Sequence, residues 1–386
     1  MSEFYSLLSS AVAEASALRL IVTLKPANAD GLVYPSTYEG GQHIFRSAWI
    51  EGEKRDAVLL DSVQSQSNRI EMAVLDAYRR GKIPYPDIEL LVKADTGEER
   101  YSVLELSHRV YDAALRMSTV NGTPFPQSEI GKKVYSARTE KATALYTHAP
   151  ITLVLGGWDS HGGGGPLVAK LPRLISSEII GLDAERVMRG ACKFDPMDIR
   201  KEAGPVYLSK DSDRRYEIDQ EVALSKKEYK PSEIGLGNIP PSLSEQGAVI
   251  TQAIQTSVVS CAAVRRLRFE LDGTSYNDER DRAGQTVIVA LGLFGLLAQM
   301  ESGYYLRSGC DLFPVHEPKL EVIGRTLEDI NVLSVTSTDV QKSLTQALRD
   351  AKFQGLDWRT ETVSAEADDR LVTMVERSRK AKKGAE

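Results

Sequence analysis

The amino-acid sequence predicts an α+β protein whose ferredoxin-like (βαββαβ) core is interrupted by large insertions. Helical and strand patterns alternate along the 386 residues, and long irregular stretches separate them. Those stretches fit a decorated ferredoxin-like core better than a doubly wound parallel sheet. The hydrophobic fraction of 42% with 26% charged residues is typical of a folded globular chain.

The N-terminal region begins with a helix and a strand. Residues 4–17 have helix-forming composition, and residues 18–24 follow as a strand of β-branched character. Residues 26–41 are rich in Pro, Gly, Asn, Ser and Tyr, which predicts a long loop. A strand near residues 58–60 then passes directly into a helix that runs to about Arg80.

The middle of the chain alternates between regular and irregular patterns. Residues 88–93 predict a strand, and residues 107–117 predict a short helix. Residues 118–149 are irregular, polar and moderately basic, which suggests a projecting hairpin or a flexible arm. The apolar run 151–155 predicts a buried strand, and residues 174–182 predict another.

The C-terminal half holds the strongest helical pattern. Residues 193–241 predict loops or small hairpins, and residues 246–261 fit a helix or a strand, with the helix preferred. Residues 285–300 predict a largely buried helix, and residues 304–306 begin the strand after it.

We expect one elaborated domain over residues 1–375. Its predicted insertions are a projecting one at 118–149 and a loop-rich one at 193–241. Residues 376–386 carry a basic cluster and predict a disordered tail.

Composition argues for a cytoplasmic protein without a membrane partner. No window approaches about 18 uninterrupted apolar residues, and the first residues lack the basic region of a secretory signal. The three cysteines are scattered, which suits a reducing compartment. The net charge of −6 counts against nucleic-acid binding, although a local basic stripe can still bind phosphates on an acidic protein.

The most informative segment is the polar cluster 61–71, which joins the strand near 58–60 to the following helix. Gln, Ser, Asn and Arg side chains there offer many short neutral hydrogen-bond groups and one forked cation. This mixture suits contacts to riboses and phosphates better than acid–base chemistry. Part of the same cluster also fits helix capping and hydrogen bonding in the core.

Further cations occur in three short clusters, each of which alone is usually a solvated surface. They are Lys170 and Arg173 before Ser176, the group Arg265, Arg266 and Arg268, and Arg307 with Ser308. The neighbouring Tyr304 and Tyr305 point to opposite faces if they lie on a strand, so at most one is free to stack on a base.

No motif indicates an enzyme, a cofactor or a metal. The glycine run 162–165 lacks the Lys-Ser/Thr pair of a phosphate loop, so a flexible loop is the simpler interpretation. Another interpretation is that Gly162 and Gly163 let the backbone approach a phosphate chain closely. Asp159 and His161 supply too few ligands for zinc.

Several segments together resemble a CRISPR-associated family, the RAMP-superfamily backbone subunit of the type I-U (type I-G) Cascade complex. This family is counted within the seventh Cas family. The most specific block is SVQSQSNRIE at residues 62–71. Four more blocks follow in order, at residues 155–160, 170–179, 264–269 and 306–312. The resemblance spans about residues 18–315.

The resemblance implies an RRM-like palm with inserted finger and thumb elements. It also implies copies of the chain that stack as a helical filament along CRISPR RNA. Such a subunit holds the guide RNA beside other Cascade subunits and presents it for pairing with target DNA, without cutting it. Antiviral defence is the implied role.

We therefore hypothesise a non-enzymatic RNA-binding subunit. Predicted contacts to ribose and phosphate are Gln64, Ser65, Asn68, Arg69, Gly162, Gly163, Lys170, Arg173, Ser176, Arg265, Arg266, Arg268, Arg307 and Ser308. The alternative is a metal-dependent ribonuclease of the same superfamily that uses Asp159 or Asp311, with help from His161.

Overall fold

A computed structural model describes residues 3–159, 170–211, 214–271, 273–274, 276–326 and 328–385. Its α-helices are α1 Glu3–Glu14, α2 Val63–Arg79, α3 Ala113–Arg116, α4 Glu129–Tyr135, α5 Thr143–His148, α6 Pro150–Leu155, α7 Cys261–Val264, α8 Asp278–Glu301, α9 Ser337–Phe353 and α10 Asp369–Ala385. The mixture of helices and sheets agrees with the predicted α+β class.

The strands of the first half are β1 Ala17–Pro26, β2 Leu32–Val33, β3 Phe45–Ile50, β4 Glu53–Asp61, β5 Ile88–Ala94, β6 Gly97–Ser102, β7 Ser118–Val120, β8 Thr123–Pro124, β9 Gly157–Trp158, β10 Lys170–Leu171, β11 Ile175–Leu182 and β12 Glu185–Lys193. Those of the second half are β13 Tyr207–Leu208, β14 Tyr216–Glu217, β15 Ile239–Val249, β16 Gln252–Ser260, β17 Tyr304–Arg307, β18 Cys310–Pro314, β19 Lys319–Ile323, β20 Ile330–Ser334 and β21 Val363–Ala367.

The main sheet has nine strands, and its principal order is β17-β18-β1-β16-β11-β4-β3. β19 also pairs with β1, and β20 pairs with β19. Every pairing in this sheet is antiparallel. One face of the sheet is buried, as β1 illustrates. Every second residue of this strand points to the core, and these buried residues include Leu18, Leu20, Val22 and Leu24.

Helices α2 and α8 pack against each other beside this sheet, and α8 also contacts α1, α6 and α9. The approach of α2 to α8 is close because α8 has a glycine there. A Cβ at Gly295 would meet Ile70 and Val74 of α2 at 2.9 Å. In length and composition α8 could cross a membrane, but 94% of its apolar window is buried inside the protein. Its apolar character therefore serves the core.

A second sheet joins distant parts of the chain in the order β6-β5-β21-β7-β8. β21 pairs with β5 in parallel, with Val363 opposite Ile88, and with β7 in antiparallel register. Helix α10 packs against β5 and β21. The C-terminal segment thus completes a sheet whose other strands come from residues 88–124.

A third sheet is a long antiparallel ribbon of β12 and β15, which β2 extends. Residues 194–238 connect its two long strands with short 3-10 turns and the small β13–β14 pair. This agrees with the loops and small hairpins predicted for 193–241. Met188 and Leu243 on the ribbon are 61% and 77% exposed, so the ribbon presents apolar side chains outside the core.

Two predicted elements have the wrong type. Residues 151–155 were predicted as a strand but form α6, which begins at Pro150, a residue favoured in the first turn of a helix. All six residues of α6 are buried, so its apolar run shows no one-sided pattern. Residues 246–261 were assigned to a helix but contain β16, whose burial alternates at every second residue.

Two other segments also differ from expectation. Residues 118–149, predicted to project, contain β7, β8, α4 and α5, and their side chains Phe125, Val134, Leu145 and Tyr146 are buried. These side chains belong to the main core cluster, so the segment is not an arm. The predicted disordered tail lies in α10 as far as Ala385.

Candidate nucleic-acid interface

The junction between β4 and α2 is organised by the buried carboxylate of Asp61, the last residue of β4. Ser62 caps α2, because its Oγ accepts a hydrogen bond from the backbone N–H of Ser65 at 3.2 Å. Asp61 accepts hydrogen bonds from Ser65 Oγ at 2.7 Å, Gln66 Nε2 at 2.6 Å and Arg69 Nε at 2.9 Å. It therefore uses several of the polar groups in the 61–71 cluster.

Two of the predicted RNA-binding arginines meet at this carboxylate. Arg69 also donates from Nη2 to the backbone oxygen of Leu306 at 2.8 Å. Arg307 donates to the backbone oxygen of Leu60 at 2.8 Å and lies 3.4 Å from Asp61 Oδ1. Most donors of both guanidinium groups thus serve to hold β17 against the junction.

A buried polar network continues from the junction into the core. Gln66 Oε1 accepts from Ser177 Oγ at 2.9 Å, Gln255 Nε2 at 2.8 Å and Gln299 Nε2 at 3.0 Å. Tyr304 OH donates to Gln255 Oε1 at 2.8 Å. The network links α2, α8, β11, β16 and β17. Part of the polar cluster therefore makes hydrogen bonds in the core, which is one of the two interpretations of the sequence given above.

The outer side of α2 remains available for a partner. Gln64 and Asn68 are exposed, and neither makes a side-chain hydrogen bond within the described part of the chain. Ser65, Asn68 and Arg69 line a cleft of about 1040 Å³ between α2, the end of α8 and the start of α9. We call it the α2 cleft. Its other charged lining residues are Asp76, Arg80, Lys82 and Glu301.

A second site begins where α6 ends. Gly156 has a φ of 80°, and a Cβ there would lie 3.0 Å from the backbone oxygen of Leu171. A Cβ at Gly157 would meet Thr152 and Tyr111 at 2.8 Å. Only glycine fits both positions without displacing neighbours. This tight backbone leads directly to Trp158, which is 65% exposed.

Predicted cations lie beside this tryptophan. Lys170 of β10 is directly opposite Trp158 of β9 in the antiparallel pair. Arg173 follows on the same segment, and its Nε donates to the backbone oxygen of Leu155 at 3.3 Å. Lys170, Arg173 and Trp158 line a cavity of about 320 Å³, which we call the Trp158 cavity. Among the residues described, neither cation forms an ion pair.

A buried ion pair supports the floor of the Trp158 cavity. Arg109 Nε donates to Glu71 Oε1 at 2.5 Å, and Arg109 Nη1 donates to the backbone oxygen of Gly156 at 3.1 Å. Burial raises the pKa of Glu71, while Arg109 opposes that rise. Burial also lowers the pKa of Arg173, Arg109 adds to this effect by charge repulsion, and the carboxylate of Glu71 opposes it. An anion at Arg173 would relieve that repulsion.

The remaining predicted arginines have different surroundings. Arg265 donates to the backbone oxygens of Val12 and Ala15 at 2.9 and 2.7 Å, so it ties α7 to the end of α1. Arg268 pairs with the buried Asp281 at 3.1 Å. Arg266 is exposed. Arg265 and Arg268 thus have structural partners that their sequence cluster did not reveal.

The predicted small residues divide between several places. Ser176 is exposed on the face of β11 opposite the buried Ser177, so it points away from α2. Ser308 is exposed in the turn between β17 and β18. Gly162 and Gly163 lie outside the described residues. Tyr304 is buried and Tyr305 is 63% exposed, as expected for opposite faces of a strand.

The residues of the alternative nuclease hypothesis are not gathered into one site. Asp159 is buried and forms an ion pair with Arg116. Asp311 is exposed on β18, and His161 lies outside the described residues. Within the described ranges, no group of three or more His, Cys, Asp or Glu side chains could hold a metal ion.

Sequence reasoning missed Asp61 as the centre of the junction, and it missed Trp158 and the Arg109–Glu71 pair. In the sequence, Trp158 follows two glycines and precedes a basic cluster. This pattern could have predicted an exposed aromatic side chain next to cations. The partners of Asp61 come from α2 and from the distant β17, so no local sequence pattern could predict the whole set.

The fold and these two sites define the class of protein. It is an α+β protein with a polar cleft along one helix and a separate cavity lined by cations and an exposed tryptophan. Residues 18–186, a little under half of the chain, match the family described as CRISPR-associated protein GSU0053 (Cas_GSU0053). The resemblance to a CRISPR-associated family is therefore confirmed.

Two solved structures are similar over most of the chain. One is described as "CRISPR RNA-guided surveillance complex, pre-nicking", with a TM-score of 0.33 and 9% identity, covering 94% of this chain and 99% of that one. The other is Csc2 from Thermofilum pendens, with a TM-score of 0.28 and 12% identity, covering 97% of this chain and 80% of that one. At these TM-scores neither likeness is evidence of function. No curated protein matches the chain.

Proposed function

We propose that this chain is a CRISPR RNA-binding backbone subunit of a type I Cascade effector complex. In this role it polymerises along the guide RNA and presents it for pairing with target DNA in antiviral defence. The observation that carries the proposal is the match of residues 18–186 to a CRISPR-associated family. That segment contains α2 and the Trp158 cavity, where the uncommitted polar groups lie.

The chemistry of the two sites suits a passive RNA holder. The amide groups of Asn68 and Gln64 have no hydrogen-bond partner among the residues that the structure describes, so they can both donate to and accept from riboses. Lys170 and Arg173 are cations without a carboxylate partner within the described residues, so they can neutralise phosphates. A few such cations per copy are enough for a filament, because every copy contributes its own set. RNA binding in this way is compatible with the net charge of −6 on each chain.

A ferredoxin-like, RRM-like palm is part of the proposal. Its support is the strand order β18/β19-β1-β16-β11 in antiparallel pairing, with α2 before β11 and α8 after β16. We propose residues 1–375 as one elaborated domain on this palm. The β12–β15 ribbon, with its exposed Met188 and Leu243, is a better candidate for an inserted finger or thumb element than residues 118–149.

We further propose that the subunit is non-catalytic, needs no cofactor and acts in the cytoplasm with other Cascade subunits. The free thiols of Cys192, Cys261 and Cys310 suit a reducing compartment. Asp159 is held by Arg116 in a buried ion pair, which is a structural use of that carboxylate.

The test is to purify the protein from its host and sequence the RNA that accompanies it. We expect uniform RNA derived from CRISPR repeats, and we expect the double variant Asn68→Asp with Arg173→Ala to lose it. Arg325→Ala, which removes an exposed cation between β19 and β20, is the matched control and should retain RNA. Random cellular RNA, or equal retention by both variants, would contradict the proposal. Cleavage of labelled RNA with Mg²⁺ would contradict the non-catalytic role.

A further inference from the structure

Trp158 is exposed although its neighbours are firmly packed. Gly156 and Gly157 lie so close to Leu171, Thr152 and Tyr111 that a Cβ at either position would meet them. On the other side, Asp159 is buried and paired with Arg116. The indole therefore extends from a closely packed backbone, while 65% of the Trp158 surface faces solvent. Exposure alone does not imply a partner, because single exposed apolar side chains are common and Trp49 is 72% exposed, so the residues around the indole must decide.

The surroundings of Trp158 narrow the chemistry of that partner. Directly opposite residues in an antiparallel pair have Cβ atoms about 5 Å apart and project to the same face. Lys170 is the residue opposite Trp158, and both side chains line the Trp158 cavity, so one site holds an aromatic ring and an ammonium group. Arg173 adds a second cation to the same cavity. A flat ring beside two cations matches a nucleotide, which has a base to stack and a phosphate to pair.

We propose that Trp158 is a base-stacking platform for single-stranded RNA, with Lys170 and Arg173 binding the adjoining phosphates. This deepens the proposed function and rests on it. The platform lies at the β9–β10 pair and is distinct from the hydrogen-bonding groups of the α2 cleft. Each copy of the subunit thereby holds one base by its flat face, independently of which base it is.

The experiment compares the chain's exposed tryptophans in the full-length protein. Trp158→Ala should weaken binding of a labelled single-stranded RNA between about fivefold and a hundredfold, the usual range for loss of one stacked base. Trp158→Phe should recover most of that loss. Trp49→Ala is the matched control, because Trp49 is 72% exposed on β3, and it should bind as the unaltered protein does.

Two further readouts separate stacking from charge. The slope of log affinity against log salt should stay the same in Trp158→Ala, because no cation is removed. In a Trp49→Phe background, RNA should quench the emission of Trp158, since Trp358 is buried. RNA binding by the unaltered protein with no quenching, together with unchanged affinity in Trp158→Ala, would overturn the platform alone. Failure of the unaltered protein to bind RNA would overturn the proposed function as well.

Discussion

The Asp61 junction and the Trp158 cavity both contain arginines that the sequence placed in one RNA-binding group, yet the structure uses them differently. At the junction, Arg69 and Arg307 share a fully buried carboxylate and donate to backbone oxygens. At the cavity, Arg173 has one long hydrogen bond to Leu155 and no ion pair among the described residues. Arginine is thus a structural clamp at the junction and an available cation at the cavity.

The difference shows that the surroundings of an arginine decide its role more than its sequence neighbours do. A buried carboxylate costs several kcal/mol to desolvate unless cations and donors surround it, so Asp61 requires its two arginines. Arg173 is repelled by the neighbouring Arg109 and attracted by the carboxylate of Glu71, but Glu71 forms its ion pair with Arg109, so Arg173 can still take an anion from outside. Among arginine variants, those that reduce stability should therefore cluster at the junction, and those that reduce RNA binding should cluster at the cavity.

The largest expected effect is at Asp61. Asp61→Asn removes the charge that compensates two arginines, so we expect the free energy of unfolding to fall by about 3 kcal/mol in urea denaturation. Asp311→Asn is the control, because Asp311 is exposed, and its effect should stay within about 0.5 kcal/mol. A loss below about 1 kcal/mol at Asp61 would show that the junction is not a clamp.

The next effect tests the buried network behind the clamp. Gln66→Leu leaves the donors of Ser177, Gln255 and Gln299 without their common acceptor, and we expect a loss of about 2 kcal/mol in unfolding free energy. Gln64→Leu makes the same replacement two residues earlier at an exposed site, and it should be nearly neutral. Equal losses in both variants would mean that the helix, and not the network, responds to the substitution.

A pair of arginine variants tests the comparison most directly. Arg173→Ala should leave unfolding free energy unchanged and reduce the salt slope of single-stranded RNA binding by about 0.7, the contribution of one phosphate contact. Arg265→Ala should do the reverse, since Arg265 donates to Val12 and Ala15, and its loss should cost about 2 kcal/mol of stability. If both variants change the slope equally, the distinction between clamp and available cation fails.

The smallest effect concerns a third arginine, Arg359, which donates from Nε to His148 Nδ1 at 3.3 Å. Burial, and then repulsion from Arg359, lowers the pKa of His148 from 6.5 to about 4. The folded protein therefore keeps His148 neutral where the unfolded chain binds a proton. Its contribution to stability is complete above the ordinary pKa and is lost as pH falls toward the lowered one.

His148→Gln should consequently lose less stability than the unaltered protein between about pH 7 and about pH 5. Urea denaturation at both pH values measures this difference. Burial raises the pKa of the nearby Asp87 to about 6, which gives the opposite pH slope, but it does so in both proteins and cancels in the comparison. An identical pH dependence in both proteins would remove His148 as the titrating group.

Local patterns were sufficient for much of the fold. α1, β1, the β4–α2 junction, β5, β11 and α8 all lie where hydrophobic periodicity and turn residues indicated. The segment 151–155 failed because a fully buried helix and a buried strand share the same short apolar run. At the sites, exposure of Gln64 and Asn68 on α2 was within reach of the sequence, but the pairing of Asp61 with Arg307 was not. That contact joins residues far apart in the chain, so only the tertiary fold specifies it.

The parallel pairing of β21 with β5 also bears on how the protein is made. β5 emerges early in synthesis, but its neighbour in the second sheet is the segment Val363–Ala367, which emerges far later. Until then β5 exposes an unpaired edge and lacks the cover of α10, a state that invites association with other chains. Closing so long a loop also makes this pairing slow relative to local contacts. Chains that still lack their C-terminal strand should therefore be the ones that associate through the open edge of β5.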